Sequence, residues 1–212
     1  MGITLNAGNV SAWADQSGQG NNLAQTTTSR QPTHGLVTAG GLPLLGFNPS
    51  APSGLLCATS TGLSAPAFTA LAVYRPTQVA AGDKTIANIG ATAGGRQYRV
   101  SGNKQNLTRA IQANAATGAT SLNSDTNYVG AVRYDGTSTV TFTLNGAADG
   151  TVAAGAHAFS NGAISIGVNG AGTSEGFVGY IGEVIAYSRA LTDAELAGVT
   201  NYLGGRFGVT VP

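Results

Sequence analysis

Glycine divides this 212-residue chain into short segments. There are 32 glycines, scattered along the whole sequence rather than clustered, so that one falls about every six or seven residues. The segments between them alternate polar and apolar residues or are rich in β-branched and aromatic residues, which is typical of strands. Short strands separated by regularly spaced turn residues predict an all-β sandwich or barrel.

The clearest predicted strand is Thr139–Leu144, whose alternate residues form one apolar face. Asn145-Gly146 follows it directly. This dipeptide favours a two-residue type I′ turn, because both central residues of that turn need a positive φ. The sequence therefore predicts a β-hairpin at this point.

Two other predicted strands, Phe68–Arg75 and Tyr128–Tyr134, are apolar on both faces, so we expect other elements to cover them on both sides. The remaining strand candidates are Leu42–Phe47, Gly54–Thr59, Thr85–Ile89, Gln97–Ser101, Leu107–Gln112, Ala163–Val168 and Phe177–Tyr187. The last of these is long enough to bend at Gly179 or Gly182. No linker, charge block or fixed-period repeat interrupts the pattern, so residues 1–212 are predicted to form one domain.

One helix is predicted near the C-terminus. Thr192 as N-cap and Glu195 three residues later form a capping box. Leu191 and Leu196 occupy the two positions of a hydrophobic staple. The glycine pair at 204–205 predicts the end of the helix. We expect one short helix that packs on the edge of the sandwich.

Charged residues are scarce. Asp, Glu, Lys and Arg make up 9% of the chain and the formal net charge is +1, against roughly 25% charged residues in an average globular domain. Binding to nucleic acid needs a basic face, so this class of function is excluded.

No apolar run approaches the ~18 residues of a membrane helix, and we expect no membrane partner. Cys57 is the only cysteine, which excludes an intramolecular disulfide.

Several segments resemble one known family. Trp13–Asn22 is similar to the opening W-x-D-x-S-G-x-G-N-[NH] pattern of bacterial and phage laminin-G-like modules, which have the concanavalin A-like jelly-roll fold. Gly179–Glu195 and Asn201–Gly208 resemble their closing strand and helix, and Val132–Gly136 with Phe142–Gly146 resembles their central hairpin. The resemblance covers nearly the whole chain. It implies a two-sheet antiparallel β-sandwich, a jelly roll, with one short C-terminal helix.

The start of the chain departs from the family pattern. These modules often have an extra strand before the Trp segment, whereas about a dozen residues precede Trp13 here. Either that strand is short, or a neighbouring chain completes the sheet edge. Because Ile3 and Leu5 alternate with polar residues and an unpaired edge binds other strands, we predict partner or ligand contacts at Ile3, Leu5 and Trp13. Trp13 has two other interpretations, as a core residue or as a platform for a sugar ring.

Catalytic residues are not evident. Glycan-cleaving relatives of the fold resemble one another in an E-x-D-x-x-E strand that pairs two carboxylates, and no such string occurs here. Glu183 lies alone inside a predicted strand and is expected to bind backbone or an arginine. Helix capping explains Asp193 and Glu195. His34 and His157 lie in loop-like segments away from any nucleophile motif. We therefore expect no enzyme activity and assign no catalytic residue.

Calcium is the one cofactor that the sequence leaves open. Concanavalin A-like lectins often use it to order sugar-binding loops, and Asp15 with Asn21 or Asn22 offers oxygen ligands. An Asx-type turn at Asp15 is the simpler alternative.

A binding or structural function remains. The first hypothesis is a non-catalytic virion accessory protein of a tailed bacteriophage, of the capsid decoration or cement type, with other virion proteins or copies of itself as partners. The alternative is a lectin-like module that binds a surface glycan or receptor at an extracellular site or cell surface. Met1–Asn6 lacks the basic and apolar regions of a secretory signal, which favours assembly in a host cytoplasm and a location in the virion.

Overall fold

The computed structural model describes residues 2–48, 52–79, 82–90, 95–109, 116–156, 161–170 and 172–212. Over these residues it contains one α-helix, α1 (Asp193–Phe207), which is not long and apolar enough to cross a membrane. The strands are β1 (Ile3–Asn6), β2 (Asn9–Trp13), β3 (Leu23–Ala24), β4 (Thr33–Ala39), β5 (Leu42–Phe47), β6 (Leu55–Cys57), β7 (Phe68–Pro76), β8 (Asp83–Ile89), β9 (Arg96–Ser101), β10 (Lys104–Arg109), β11 (Ala116–Thr117), β12 (Tyr128–Tyr134), β13 (Thr139–Leu144), β14 (Ala147–Ala153), β15 (Ile164–Ile166) and β16 (Gly179–Tyr187). Every predicted strand overlaps one of these, although residues 110–112 of one candidate lie outside the described residues.

The strands form one antiparallel ladder that folds back on itself as two layers. Its order is β11-β10-β9-β8-β15-β6-β3-β2-β4-β5-β16-β7-β12-β13-β14, with β1 paired to β2. Near the two ends of the ladder, the Ala119 N–H donates to the Asp149 backbone carbonyl at 2.7 Å, so the sandwich nearly closes into a barrel. The predicted antiparallel jelly-roll sandwich with one C-terminal helix is confirmed.

The main core fills the space between the layers. Its centre is aromatic: Tyr74 meets Tyr98 and Phe177 edge to face, with ring centroids 6.4 and 6.3 Å apart. Alternate residues of β7, from Phe68 to Tyr74, point into this core. Leu71 lies on the opposite face of the same strand and is also fully buried. The prediction that β7 is covered on both sides is confirmed.

Helix α1 covers the outer face of the layer that contains β7 and β12. Leu203 and Phe207 of the helix belong to a second buried cluster with Leu71 and Val73 of β7 and Val129 of β12. The prediction that the helix packs on the edge of the sandwich is wrong. Because β7 and β12 present apolar side chains outward, an apolar helix face must cover that face of the sheet.

The predicted start of the helix is confirmed. The Thr192 hydroxyl accepts a hydrogen bond from the Glu195 N–H at 3.3 Å, and the Glu195 carboxylate accepts one from the Thr192 N–H at 2.9 Å. Both staple residues, Leu191 and Leu196, are buried. Arg189 adds a bidentate ion pair to Glu195, with both N–O distances 2.8 Å. Local interactions therefore fix where α1 begins.

The predicted end of the helix at the glycine pair 204–205 is wrong. The helix continues to Phe207, and Gly208 caps it in the left-handed region with φ 64°. Phe207 is fully buried, so its burial favours one more turn of helix. Gly204 serves packing instead of termination, because a Cβ there would lie 2.4 Å from the Val211 side chain.

The β13–β14 and β1–β2 hairpins are among those whose turns have positive φ. Asn145 and Gly146 have φ angles of 50° and 84° between β13 and β14, which confirms the predicted hairpin. A second hairpin, which was not predicted, joins β1 to β2 through Ala7 and Gly8, with φ angles of 49° and 86°. The strand before Trp13 is therefore present and short.

Strand β16 changes its register at Gly182, one of the two predicted bends. Its pairing with β7 shifts between Ile181 and Glu183. On its other edge, β16 pairs with β5 only over Gly179–Ile181. Over the described part of the chain, no strand pairs with this edge from Glu183 onward. The sandwich is consequently open along the edge of residues 183–187, which we call the open seam.

We predict that Leu196→Asp destabilises the fold. It removes an apolar contact from the second cluster and buries a carboxylate, which should lower the free energy of unfolding by about 2–4 kcal/mol. Urea unfolding measures the change. Leu36→Asp is the matched control because Leu36 is exposed on β4. Equal unfolding free energies for the two variants would contradict the docking of α1.

Candidate functional site: a groove beside the open edge of β16

A groove of about 770 Å³ lies at the open seam of the sandwich. The loop of residues 14–22 forms one wall, and residues 183–188 of β16 and its end form the other. Helix α1 adds Tyr202 and Arg206 at the rim. The floor is apolar and consists of Leu23, Leu63, Ile89, Ile164 and Ile166. The volume falls in the range of roughly 300–1,000 Å³ that is typical of ligand-binding clefts.

Asp15 organises the first wall. One of its carboxylate oxygens accepts from the Ser17 N–H at 2.8 Å, which is an Asx turn. The other oxygen accepts from the Ser17 hydroxyl at 2.8 Å and from the Asn21 N–H at 2.9 Å. The Asp15 N–H donates to the Asn22 side-chain oxygen at 2.9 Å. These four bonds hold the loop in one conformation.

The hydrogen bonds to Asp15 also keep it ionised. Partial burial opposes ionisation, but the bonds from Ser17 and Asn21 outweigh it and hold the pKa of Asp15 below its ordinary value of 3.8.

Hydrogen bonds also connect the loop of residues 14–22 to Thr61, which lies in the segment before β7. The Thr61 N–H donates to the Asn21 side-chain oxygen at 2.8 Å, and the Asn21 side-chain amide donates to the Thr61 carbonyl at 3.2 Å. The Thr61 hydroxyl donates to the Gln19 carbonyl at 2.8 Å. Hydrogen bonds therefore fix this loop near its two ends, at Asp15 and Asn22, and also at Gln19 between them.

The three predicted calcium ligands come together but fit the Asx turn better than a metal site. Side-chain oxygens of Asp15, Asn21 and Asn22 already accept hydrogen bonds from backbone N–H groups. Only one of these side chains is charged, and the described residues contain no cluster of three or more His, Cys, Asp or Glu side chains. Calcium takes six to eight oxygen ligands, usually with several carboxylates.

Aromatic side chains flank the groove on both sides. Trp13 ends β2, is half-buried against the main core and also lines the groove. Its packing agrees with the interpretation of this residue as a core residue, and its use as a platform for a sugar ring stays a prediction. Tyr187 and Tyr202 line the groove from the other side, and Tyr202 is 53% exposed. Neither tyrosine was predicted as a site residue, and the only sequence signal for Tyr202 is its place within the predicted helix.

The acidic groups of the groove are already engaged. Glu183 lies 3.2 Å from the Nε of Arg206, which confirms the prediction that it binds an arginine. Asp15 is the other carboxylate of the lining and holds the loop. His34 lies on β4, where it pairs with Leu45 of β5, and it does not line the groove. His157 lies outside the described residues.

The two remaining predicted contact residues lie on β1. Ile3 pairs with Trp13, is half-buried against the main core and does not line the groove. Leu5 is 50% exposed and does not line the groove. β1 pairs with β2 alone among the strands that the structure describes. Contact of these residues with a partner stays a prediction.

The chain belongs to the concanavalin A-like lectin/glucanases superfamily. The sequence model of this family, Laminin_G_3, matches residues 51–197. The match includes the β16 wall of the groove and the start of α1, whereas the loop of residues 14–22 precedes it. Among curated proteins, none matches this chain in sequence.

Solved structures show the same fold at low sequence identity. The binding domain of Paraclostridial Mosquitocidal Protein 1 is 13% identical with a TM-score of 0.69, over 95% of this chain and 51% of that one. The CBM40 domain of the Ruminococcus gnavus IT-sialidase, bound to α2,3-sialyllactose, is 15% identical with a TM-score of 0.54, over 69% and 95%. A GH54 α-L-arabinofuranosidase soaked with a cyclic sulfate inhibitor is 18% identical with a TM-score of 0.69, over 94% and 51%. This chain thus spans about half the length of the toxin and arabinofuranosidase chains.

We predict that acid loosens the loop of residues 14–22. Since the pKa of Asp15 is lowered in the folded state, its carboxylate stabilises the loop fully above about pH 4 and loses this effect as the pH falls through the folded pKa. Trp13 is the only tryptophan and adjoins the loop, so its fluorescence reports the change. Asp15→Asn should remove this titration while circular dichroism shows that both proteins stay folded. Identical acid titrations of the two proteins would contradict the role of Asp15.

Proposed function

We propose that this protein is a non-catalytic glycan-binding module and that the groove at the open seam is its binding site. The observation that carries the proposal is the set of aromatic residues around the groove, with Trp13 on one side and Tyr187 and Tyr202 on the other.

The chemistry of the groove suits a sugar chain. Sugar rings have apolar C–H faces that pack on aromatic rings, while their hydroxyls need uncharged donors and acceptors. Gln16, Ser17, Gln19 and Ser188 bring amide and hydroxyl groups to the lining. The open edge of β16 adds backbone N–H and C=O groups that have no strand partner among the described residues.

The first wall is organised before any ligand arrives. Asp15 and Thr61 hold the loop of residues 14–22 through hydrogen bonds of 2.8–3.2 Å. A site that is already ordered loses less conformational entropy when it binds, which favours affinity.

A non-catalytic role is supported by the state of the two carboxylates. Retaining glycosidases need a carboxylate pair about 5 Å apart with one member free to attack the sugar. Here Asp15 holds its own loop and Glu183 pairs with Arg206, so both carboxylates have structural partners. Two of the similar structures, the binding domain of a mosquitocidal protein and a CBM40 domain bound to a sugar, support the proposal at the level of the fold.

We predict that Trp13→Ala weakens glycan binding by roughly tenfold, because it removes one aromatic face worth about 1–1.5 kcal/mol. The probe is an array of neutral and acidic oligosaccharides, and the strongest ligand is then titrated by calorimetry. Tyr202→Ala should weaken binding in the same direction and, since Tyr202 is exposed, should leave the fold intact. Leu36→Ala, at an exposed position that does not line the groove, is the control.

Two results would contradict the proposal. One is that the wild-type protein binds no oligosaccharide of the array. The other is that Trp13→Ala and Tyr202→Ala both bind as tightly as the wild type.

A second candidate function is the virion accessory role of the capsid decoration or cement type. The observation that favours it is β1, whose outer edge has no partner in the described part of the chain. Residues 2–13 carry no charged side chain, and Leu5 is half-exposed. An edge strand without charge or proline is suited to pair with another chain, here a second virion protein or a second copy. Location in the virion, and the alternative at an extracellular site or cell surface, stay predictions.

A further inference from the structure

We infer that the groove selects neutral glycans and excludes glycans that carry a carboxylate or sulfate. This inference rests on the proposed function, since it concerns the ligand class of the same site. It follows from the charges that line the groove and from the partners that those charges already have.

Three fully charged side chains line the groove in the described residues. They are Asp15 on the loop wall, Glu183 on β16 and Arg206 on α1. Their sum is one negative charge. The rest of the lining consists of aromatic, aliphatic, amide and hydroxyl groups.

Arg206, the one cation of the lining, is already neutralised. Its Nε lies 3.2 Å from the Glu183 carboxylate. Its guanidinium carbon lies 5.9 Å from the centres of the Tyr202 and Phe207 rings, so aromatic rings also surround it. Arginine is the side chain best suited to bind a carboxylate on a ligand, because its planar fork can donate two parallel hydrogen bonds. Here Glu183 of the protein already forms an ion pair with this guanidinium through its Nε.

Asp15 contributes a second, fixed negative charge. Three hydrogen bonds from Ser17 and Asn21 favour its ionised form and fix its position in the wall. An anionic sugar in the groove would therefore meet repulsion from the lining and would find no unpaired cation there. A neutral sugar needs only the aromatic faces and the uncharged polar groups.

The charge pattern predicts a difference from one structural neighbour. The CBM40 domain that shares the fold was solved with α2,3-sialyllactose, an anionic sugar. We expect the groove of this chain to take lactose-like or other neutral oligosaccharides in preference to such a ligand.

The test uses pairs of oligosaccharides in which only one member carries a carboxylate. The probes are gluco-oligosaccharides with their C6-oxidised glucuronate counterparts, and lactose with α2,3-sialyllactose. The wild-type protein should bind the neutral member of a pair at least about tenfold more tightly than the acidic member in low-salt buffer. High salt should narrow this difference, because salt screens the repulsion.

Glu183→Gln is the decisive variant. It removes one carboxylate and frees the Arg206 guanidinium, so the affinity for the acidic member relative to that for the neutral member should rise by about tenfold. Asp125→Asn is the matched control. Asp125 also pairs with an arginine, Arg75, at 3.4 Å, but it does not line the groove, so its loss should leave the preference unchanged.

The outcomes separate this inference from the proposed function. Equal or tighter binding of the acidic members by the wild type overturns the inference and leaves glycan binding standing. Failure of the wild type to bind any member of any pair overturns the proposed function. If Glu183→Gln folds and its preference equals that of the wild type, the role of Glu183 is overturned. If that variant does not fold, the comparison made with the wild type still decides the inference.

Discussion

The groove depends on the packing of Phe207 over Gly182. A Cβ at position 182 would lie 2.7 Å from the Phe207 ring and 2.8 Å from the Leu44 side chain, so only glycine allows the helix and β5 to approach so closely. At this residue β16 shifts its register with β7 and loses β5 as a partner. The same helix turn that covers Gly182 brings Arg206 to the rim of the opening. The close contact, the register shift and one rim residue of the groove therefore lie together at this point of the fold.

Scarcity of charge shapes the rest of the site. With 9% charged residues, the chain builds its loop wall from amides, hydroxyls and backbone groups around a single carboxylate, Asp15. The other two charges in the groove, Glu183 and Arg206, neutralise each other. A lining of this kind suits the proposed ligand, a neutral sugar, through shape, aromatic contact and uncharged hydrogen bonds, and it offers little attraction to an ionic ligand.

Features of the fold that arise from short stretches of sequence could be predicted. The turn at Asn145-Gly146 and the capping box at Thr192 depend on residues a few positions apart, and the structure confirms both. The hairpin through Ala7 was missed because alanine rarely adopts a positive φ.

The groove could be predicted only in part, because it brings residues 13–22 against residues 183–206, and no local pattern records that contact. Trp13 and Asp15 were identified from a motif, whereas Tyr187 and Tyr202 reach the groove only through tertiary packing.

Amide hydrogen exchange along β16 tests the open seam most directly. Alternate amides between Glu183 and Tyr187 should exchange fast because one edge of the strand has no partner, while those that face β7 stay protected. Strand β12, paired on both edges, should be protected throughout. Uniform protection along β16 would mean that the edge is closed, and it would contradict the groove and the function assigned to it.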